Sequence, residues 1–230
     1  MQQQTLTPPL ELDRAMAQLP LVAILRGVRP DEVLSIAAVL YDAGWRMVEV
    51  PLNSPTPLDS IALLARHFGE RMLVGAGTVL SAQQVREVAA AGGRLIVSPN
   101  LEREVITTSK ALGLYALPGV QTASECFAAL QAGADGLKLF PGEAVTPAII
   151  KALRAVLPPA TRLLPVGGIT PDNMAAFRAA GASGFGIGSA LFRPGMTAAD
   201  IKQQAQRFAA ALQNQGSAPA GVVGTNRDAD

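Results

Sequence analysis

A chain of 230 residues, 49% of them hydrophobic, is long enough to bury one sizeable core, in one α/β domain or in two small ones. The net charge of +1, the lack of a basic block and an aromatic content of 4% argue against a nucleic-acid partner. No apolar run reaches the ~18 residues of a membrane span, and the first residues lack a secretory signal pattern, so we expect no membrane association and a cytoplasmic location.

Short β-rich runs alternate with longer amphipathic patterns along most of the chain. A helix is predicted over residues 11–19, ahead of the first strand. Eight strands are predicted over residues 21–25, 47–50, 72–75, 95–97, 114–117, 136–140, 163–166 and 184–187. Helix start signals lie at Pro30, Ser81, Thr122 and Thr170, and helix ends are expected at Gly44, Gly92, Gly133 and Gly181.

Eight β–α units in about 200 residues favour a (β/α)8 TIM barrel with an N-terminal helix, as a single domain over residues 1–214. A doubly wound sheet is the competing fold, but no G-x-G-x-x-G motif follows the first strand. Residues 215–230, rich in glycine and alanine and poor in large apolar residues, are expected to form a disordered tail.

Lys138 interrupts the apolar run of the sixth predicted strand, where one more buried hydrophobic residue is expected. Burial disfavours the charged ammonium, and moving a lysine pKa from ~10.4 to near neutrality takes about 3 units. A neutral buried amine can attack a carbonyl group and form a Schiff base. The alternative is a strand lysine that reaches water or pairs with a buried carboxylate.

Glu49 interrupts the second predicted strand and alternates there with Val48 and Val50. It can form a buried ion pair with Lys138, which costs desolvation, or act as a proton shuttle beside a Schiff-base lysine. Arg26 follows the first strand and can lower the lysine pKa or hold a substrate carboxylate. The alternative for Arg26 is a salt bridge with Glu49.

Small residues follow the last two predicted strands, with Gly167 and Gly168 after the seventh and Gly188 and Ser189 after the eighth. Backbone N–H groups can approach a phosphate at such positions, and this corner is a common phosphate site in barrels. Tight turns need glycine too, so the position after these two strands carries the prediction.

Other chemistries find little support in the sequence. His67 is the only histidine and lies in a helical pattern, which argues against a Ser-His-Asp triad and a histidine-ligated metal. Cys126 is the only cysteine, which is typical of a reducing compartment, and its helical position favours packing over nucleophilic chemistry. No carboxylate cluster predicts a divalent-metal site, and no cofactor is expected.

Seven ordered motifs resemble those of the class I 2-keto-3-deoxy-6-phosphogluconate and 6-phosphogalactonate aldolases: ILRG at 24–27, VEV at 48–50, GAGTV at 75–79, SPN at 98–100, PG at 118–119, GLKLFP at 136–141 and GGI at 167–169. The resemblance implies a metal-independent (β/α)8 homotrimer that cleaves a phosphorylated 2-keto-3-deoxy sugar acid to pyruvate and glyceraldehyde 3-phosphate. It implies Lys138 as the Schiff-base residue and Glu49 as the acid/base. The other implied site residues are Arg26, Thr78, Pro99, Phe140 and Val166 for substrate, and Gly167, Gly168, Gly188 and Ser189 for phosphate.

Two departures from the gluconate pattern resemble the galactonate branch. Residues 51–54 read PLNS, with Asn53 where the gluconate branch carries an arginine, so that arginine contact is not carried over. Val166 stands where the gluconate branch has threonine, and the lost hydroxyl is one that can select the C4 configuration, so the site should discriminate less sharply between the C4 epimers. The expected substrate is therefore 2-dehydro-3-deoxy-6-phosphogalactonate.

Several alternatives stay open at this point. The substrate can instead be the gluconate epimer or 4-hydroxy-2-oxoglutarate. A phosphate-binding barrel isomerase or epimerase would use Lys138 only as an electrostatic contact, and a non-catalytic barrel would bind phosphorylated sugar acids without releasing pyruvate.

Overall fold

The computed structural model describes residues 10–213, which form an α/β structure of short parallel strands alternating with helices. The strands are β1 (Leu21–Ile24), β2 (Met47–Pro51), β3 (Leu73–Gly77), β4 (Leu95–Val97), β5 (Tyr115–Leu117), β6 (Gly119–Val120), β7 (Leu137–Leu139), β8 (Leu163–Pro165) and β9 (Phe185–Ile187). The helices are α1 (Leu12–Gln18), α2 (Pro30–Asp42), α3 (Pro57–Phe68), α4 (Ala82–Ala90), α5 (Arg103–Ala111), α6 (Ala123–Gln131), α7 (Pro147–Val156), α8 (Met174–Ala179) and α9 (Ala198–Gln213), with a 3-10 turn over Gly142–Ala144.

The strands form two parallel sheets, one in the order β5-β4-β3-β2-β1-β9 and the other in the order β6-β7-β8. The sheets meet at two places. Pro118 alone separates β5 from β6 in the chain, and a bridge pairs Val166, just beyond β8, with Gly186 in β9. The parallel α/β fold predicted from the sequence is therefore confirmed, whereas closure into one eight-stranded barrel stays a prediction.

All eight predicted strands are present, with ends that move by no more than two residues. A ninth strand, the two-residue β6, was missed because such a short run carries no periodicity. The helix predicted to start near Thr170 begins instead at Met174, because a turn comes first in which the Thr170 N–H donates to the Asn173 side chain at 3.0 Å. The tail predicted over 215–230 lies outside the described residues.

Predicted helix boundaries agree well elsewhere. The N-terminal helix α1 runs between Glu11 and Leu19, as expected. Ser81 and Thr122 both cap their helices, each accepting a hydrogen bond from the backbone N–H three residues later. The predicted helix ends are followed by glycines with positive φ, namely Gly44, Gly92, Gly133 and Gly181.

Alternation along the strands separates two hydrophobic cores. Val48 and Val50 belong to the larger one, in which the strands pack against the surrounding helices. The residues between them and on equivalent positions face the other side, where Met47 and Leu73 form a second core closed by Leu12 and Ala15 of α1. Glu49 therefore faces this inner side of the sheet, as the sequence predicted. Among helices of residues 10–213, none has the length and apolar character needed to cross a membrane.

Candidate active site

Lys138 lies in the middle of β7, between Leu137 and Leu139, which pack into the helix-facing core. Its side chain faces the inner side and is only 6% exposed, with Nζ 4.7 Å from the centroid of the Phe140 ring. Burial lowers the pKa of Lys138; the negative charge of Glu49 opposes that shift, and the positive charge of Arg26 adds to it. The neutral amine is thus more accessible here than in a solvated lysine.

Glu49 is the second buried charged residue of this region, with 1% exposure. Its carboxyl group rests against Gly77 of β3, where a side chain would collide with it. Burial raises the pKa of Glu49 to about 7, against the lowering effect of Lys138 and Arg26. Within residues 10–213, its Oε2 atom has no hydrogen-bond partner, and a buried acceptor of this kind calls for a functional reason.

Lys138 and Glu49 lie together at the apolar floor of the site, which we define as the lining of a small cavity. Both line a small cavity of about 10 Å³, which has room for one water molecule at most. The rest of its lining is apolar or glycine: Val22, Ile24, Val97, Leu117, Leu164, Val166 and Gly186. Among the described residues, neither the Glu49–Lys138 nor the Arg26–Glu49 ion pair forms within 4.0 Å. The two titratable groups are therefore close enough to affect each other's pKa without forming a direct ion pair.

Arg26 has partners that the sequence did not indicate. Its Nη1 donates to Asn53 Oδ1 at 2.5 Å and, more weakly, to Thr78 Oγ1 at 3.5 Å. Thr78 follows β3 in the left-handed region, with φ of 56°, a conformation that costs energy and concentrates at functional sites. Asn53, noted in the sequence only as the position of a missing arginine, thus holds the arginine that follows β1.

A cavity of about 810 Å³ opens above Lys138. It brings together eight of the eleven predicted site residues, which are Arg26, Lys138, Phe140, Val166, Gly167, Gly168, Gly188 and Ser189. Of the other three, Glu49 lies on the floor beneath, and Thr78 contacts the site through Arg26. Pro99 is not in this lining, and its carbonyl group lies against Gly119.

The predicted phosphate corner includes the loop after β8, whose backbone is left-handed at two glycines. Gly167 and Gly168 have φ of 109° and 64°, which favours glycine at both positions. Asn173 holds the loop, since its side-chain amide donates to the Gly168 carbonyl at 2.8 Å. Asn173 was not predicted as a site residue, and its only signal in the sequence was the turn that ends before α8.

Two charged residues of the cavity were also missed. Glu143 follows β7 in the 3-10 turn and lies against Gly167 and Gly168. Arg193 follows β9 and lines the same cavity. The available signal was their position, because loops after the carboxyl ends of parallel strands carry function.

His67 and Cys126, for which the sequence predicted no catalytic role, are not in the lining of this cavity. His67 is exposed on α3, where Nδ1 lies 2.8 Å from the Leu63 carbonyl oxygen. Cys126 is buried in α6, and burial raises the pKa of its thiol to about 11, which disfavours the reactive thiolate. No group of three or more potential metal-ligating side chains occurs in the stretch from residue 10 to residue 213.

The chemistry available to this site follows from its two buried groups. An amine with a lowered pKa can form an imine with a ketone, and a carboxyl group with a pKa of about 7 can both accept and donate a proton near neutral pH. The cavity above them is large enough for a small organic substrate.

Comparison with known proteins agrees with this chemistry. Residues 12–207 match the family described as KDPG and KHG aldolase. The 2-dehydro-3-deoxy-6-phosphogalactonate aldolase of Escherichia coli (strain K12) is 47% identical over 191 residues, which is 83% of this chain and 93% of the relative.

Solved structures with high similarity to this chain include a KDPGal structure and a designed protein cage. One described as native KDPGal has a TM-score of 0.86 and 45% identity, and the match covers 87% of this chain and 98% of that one. A cube-shaped, porous cage designed by fusing symmetric oligomeric domains contains a chain with a TM-score of 0.85 and 46% identity, covering 86% of this chain and 74% of that one.

Proposed function

The chain belongs to the KDPG and KHG aldolase family, and from that premise we propose that it cleaves 2-dehydro-3-deoxy-6-phosphogalactonate to pyruvate and D-glyceraldehyde 3-phosphate through a Schiff base. The substrate is supported by the name of the Escherichia coli relative and by the valine at position 166. The observation that carries the mechanism is the buried Lys138 amine at the bottom of the large cavity, beside a carboxyl group with a pKa of about 7.

The reaction begins at Lys138. Its neutral Nζ attacks the C2 ketone, and the resulting carbinolamine loses water to give a protonated imine. The low exposure of Lys138 supports this step, because desolvation keeps part of the amine unprotonated. Glu49 supplies the proton that the departing hydroxyl group needs, directly or through a water molecule.

The C3–C4 bond can break because the protonated imine accepts its electron pair. Glu49, now a carboxylate, takes the proton of the C4 hydroxyl group directly or through water, and the C3–C4 electron pair moves into the imine. The products are glyceraldehyde 3-phosphate and an enamine still bound to Lys138. Protonation of the enamine at C3 restores an imine, and attack of water at C2 releases pyruvate and the free amine.

Each end of the substrate has its own group of contacts in this proposal. Arg26, Thr78 and Phe140 bind the pyruvate half, with the Arg26 guanidinium on the carboxylate. Val166 faces C4 without offering a hydrogen bond. Gly167, Gly168, Gly188 and Ser189 receive the phosphate at the loops after β8 and β9.

We also propose how the barrel closes, how the subunits assemble and which pathway the enzyme serves. The two sheets form one closed (β/α)8 barrel, supported by the continuity through Pro118 and the Val166–Gly186 bridge. Residues 1–214 act as a single catalytic domain that assembles as a homotrimer, which the likeness to a cage of symmetric oligomeric domains supports. The enzyme serves galactonate degradation in the cytoplasm, and the imine removes the need for a metal ion as electron sink.

A borohydride trap tests the mechanism. Wild-type protein incubated with pyruvate and sodium borohydride should gain the mass of one reduced pyruvate adduct. Lys138→Met should abolish the gain, whereas Lys202→Met, a matched change at an exposed lysine of α9, should leave it intact. An adduct that persists in Lys138→Met would overturn the assignment, and no adduct in the wild type would favour an isomerase or epimerase.

A lactate dehydrogenase-coupled assay with both C4 epimers tests the substrate. Pyruvate release should be faster from the galactonate epimer at equal concentration, and treatment with a chelator should not reduce it. Binding of either sugar acid without pyruvate release would instead identify a non-catalytic barrel.

A further inference from the structure

Arg193 is a cation in the lining of the large cavity, and it has no role in the mechanism proposed above. We infer that Arg193 is the cationic contact of the substrate's phosphate group and determines the preference for phosphorylated over unphosphorylated substrates. This inference rests on the proposed function and deepens it.

Local sequence fixes the backbone of Arg193. The Met196 N–H donates to the Arg193 carbonyl at 3.1 Å, and between them lie Pro194 and Gly195, which has φ of 87°. These are the features of a type II turn, with proline in its second position and glycine in its third. The turn begins four residues after Ser189, and Arg193 lines the same cavity as the phosphate corner.

Packing holds this turn against the loop after β1. A Cβ atom placed on Gly27 would lie 2.8 Å from Pro194 Cγ, so the proline occupies the space that glycine leaves free. Gly27 has φ of 85° and directly follows Arg26. Arg193 is therefore presented to the cavity from a backbone constrained on two sides.

The phosphate group needs a positively charged partner, which Arg193 can provide. A phosphate monoester carries about 1.5 to 2 negative charges near pH 7, and the glycine corner offers it no positively charged side chain. Glu143 adds a negative charge against the same glycines. A dianion is held poorly at such a corner unless a cation joins it.

The other two cations of the cavity are committed elsewhere. Lys138 lies on the apolar floor, and Arg26 is turned toward Asn53 and Thr78 on the loops after β2 and β3. The Arg193 side chain, in contrast, makes no hydrogen bond or ion pair to any residue that the structure describes; its backbone N–H and carbonyl group are both bonded to Met196. The two arginines of the cavity are thus divided between the two anionic ends of the substrate.

A substitution with a matched control tests the inference. Arg193→Gln should raise KM about 10- to 100-fold for the phosphorylated substrate, the range expected for loss of a charge-assisted hydrogen bond. Cleavage of unphosphorylated 2-keto-3-deoxygalactonate and borohydride trapping of pyruvate should not change, because neither involves the phosphate. Arg193→Lys should recover part of the loss. Arg207→Gln removes the same charge from an exposed position on α9 and should leave both substrates unaffected.

Calorimetry with inorganic phosphate separates this inference from the proposed function. Wild-type protein should bind phosphate more tightly than Arg193→Gln, whether or not it releases pyruvate. Equal phosphate affinity in the two proteins would overturn the inference, as would an equal loss of activity on phosphorylated and unphosphorylated substrates. Absence of a pyruvate adduct in the wild type would count against the aldolase alone.

Discussion

The guanidinium of Arg26 is anchored by Asn53, whose Oδ1 lies 2.5 Å from Nη1. A neutral amide thus stands where the gluconate branch carries a second arginine, and it leaves the positive charge of Arg26 unneutralised. An amide acceptor can orient a guanidinium without competing with a substrate carboxylate for its charge.

Loss of this contact should weaken binding of the pyruvate half. Asn53→Ala is expected to raise the pyruvate concentration needed for half-maximal borohydride trapping about tenfold, because Arg26 loses its orienting acceptor. Asn53→Asp should be at least as harmful, since its carboxylate would neutralise Arg26. Trapping curves for the three proteins give the comparison, and an Asn53→Ala curve identical to wild type would contradict this role.

The pH dependence of activity should report Glu49. Because Glu49 has a pKa of about 7 and must be ionised to accept the C4 hydroxyl proton, kcat/KM should rise with pH through about 7. Glu49→Gln should remove this limb and lower kcat about 10²- to 10⁴-fold. The measurement is a pH–rate profile of pyruvate release for both proteins. A limb near pH 7 that survives in Glu49→Gln would belong to another group.

The folding stability of the wild type should fall as pH rises, because of the same Glu49 carboxyl group whose ionisation increases activity. The pKa of Glu49 rises from 4.5 to about 7 on folding, so the wild type should lose roughly 3 kcal/mol of stability as pH rises between those values. Glu49→Gln should therefore be more stable than wild type above pH 7 and similar to it below pH 4.5. Urea unfolding at both pH values measures this, with Glu70→Gln as an exposed control. A constant difference at the two pH values would exclude a titrating carboxyl as the cause.

Val166→Thr tests the selection of the C4 configuration. Val166 is buried where β8 meets β9, and threonine has nearly the same shape but adds a hydroxyl group. The kcat/KM ratio of the gluconate epimer to the galactonate epimer should rise about three- to tenfold, the value of one hydrogen bond. Pyruvate trapping serves as the control, because the pyruvate half lacks C4. An unchanged epimer ratio would place the selection elsewhere.

The sequence predicted the parts of this protein that depend on local patterns. Lys138 and Glu49 could be identified because a charge within a short apolar strand breaks an alternation that burial otherwise enforces. Gly44 and Gly133 could be identified as helix ends because the left-handed conformation there favours glycine.

What the sequence did not predict depends on contacts between distant segments. The Arg26–Asn53 hydrogen bond joins residues that are 27 positions apart, and the packing of Pro194 on Gly27 joins the loops that follow β9 and β1. The division of the strands into two sheets was also missed, because strand pairing is a property of the assembled fold. None of these relationships leaves a local periodic signal.

The apolar floor beneath Lys138 and Glu49 has a consequence for the order in which products depart. Because the cavity below the amine holds one water molecule at most, the water that hydrolyses the proposed pyruvate imine has to arrive from the wide cavity above. In the proposed reaction, the phosphorylated half of the substrate occupies that mouth until the carbon–carbon bond has broken and glyceraldehyde 3-phosphate has diffused away. On the proposed mechanism, the same passage serves as the exit for the first product and as the inlet for the hydrolytic water, so the aldehyde has to leave before the keto acid.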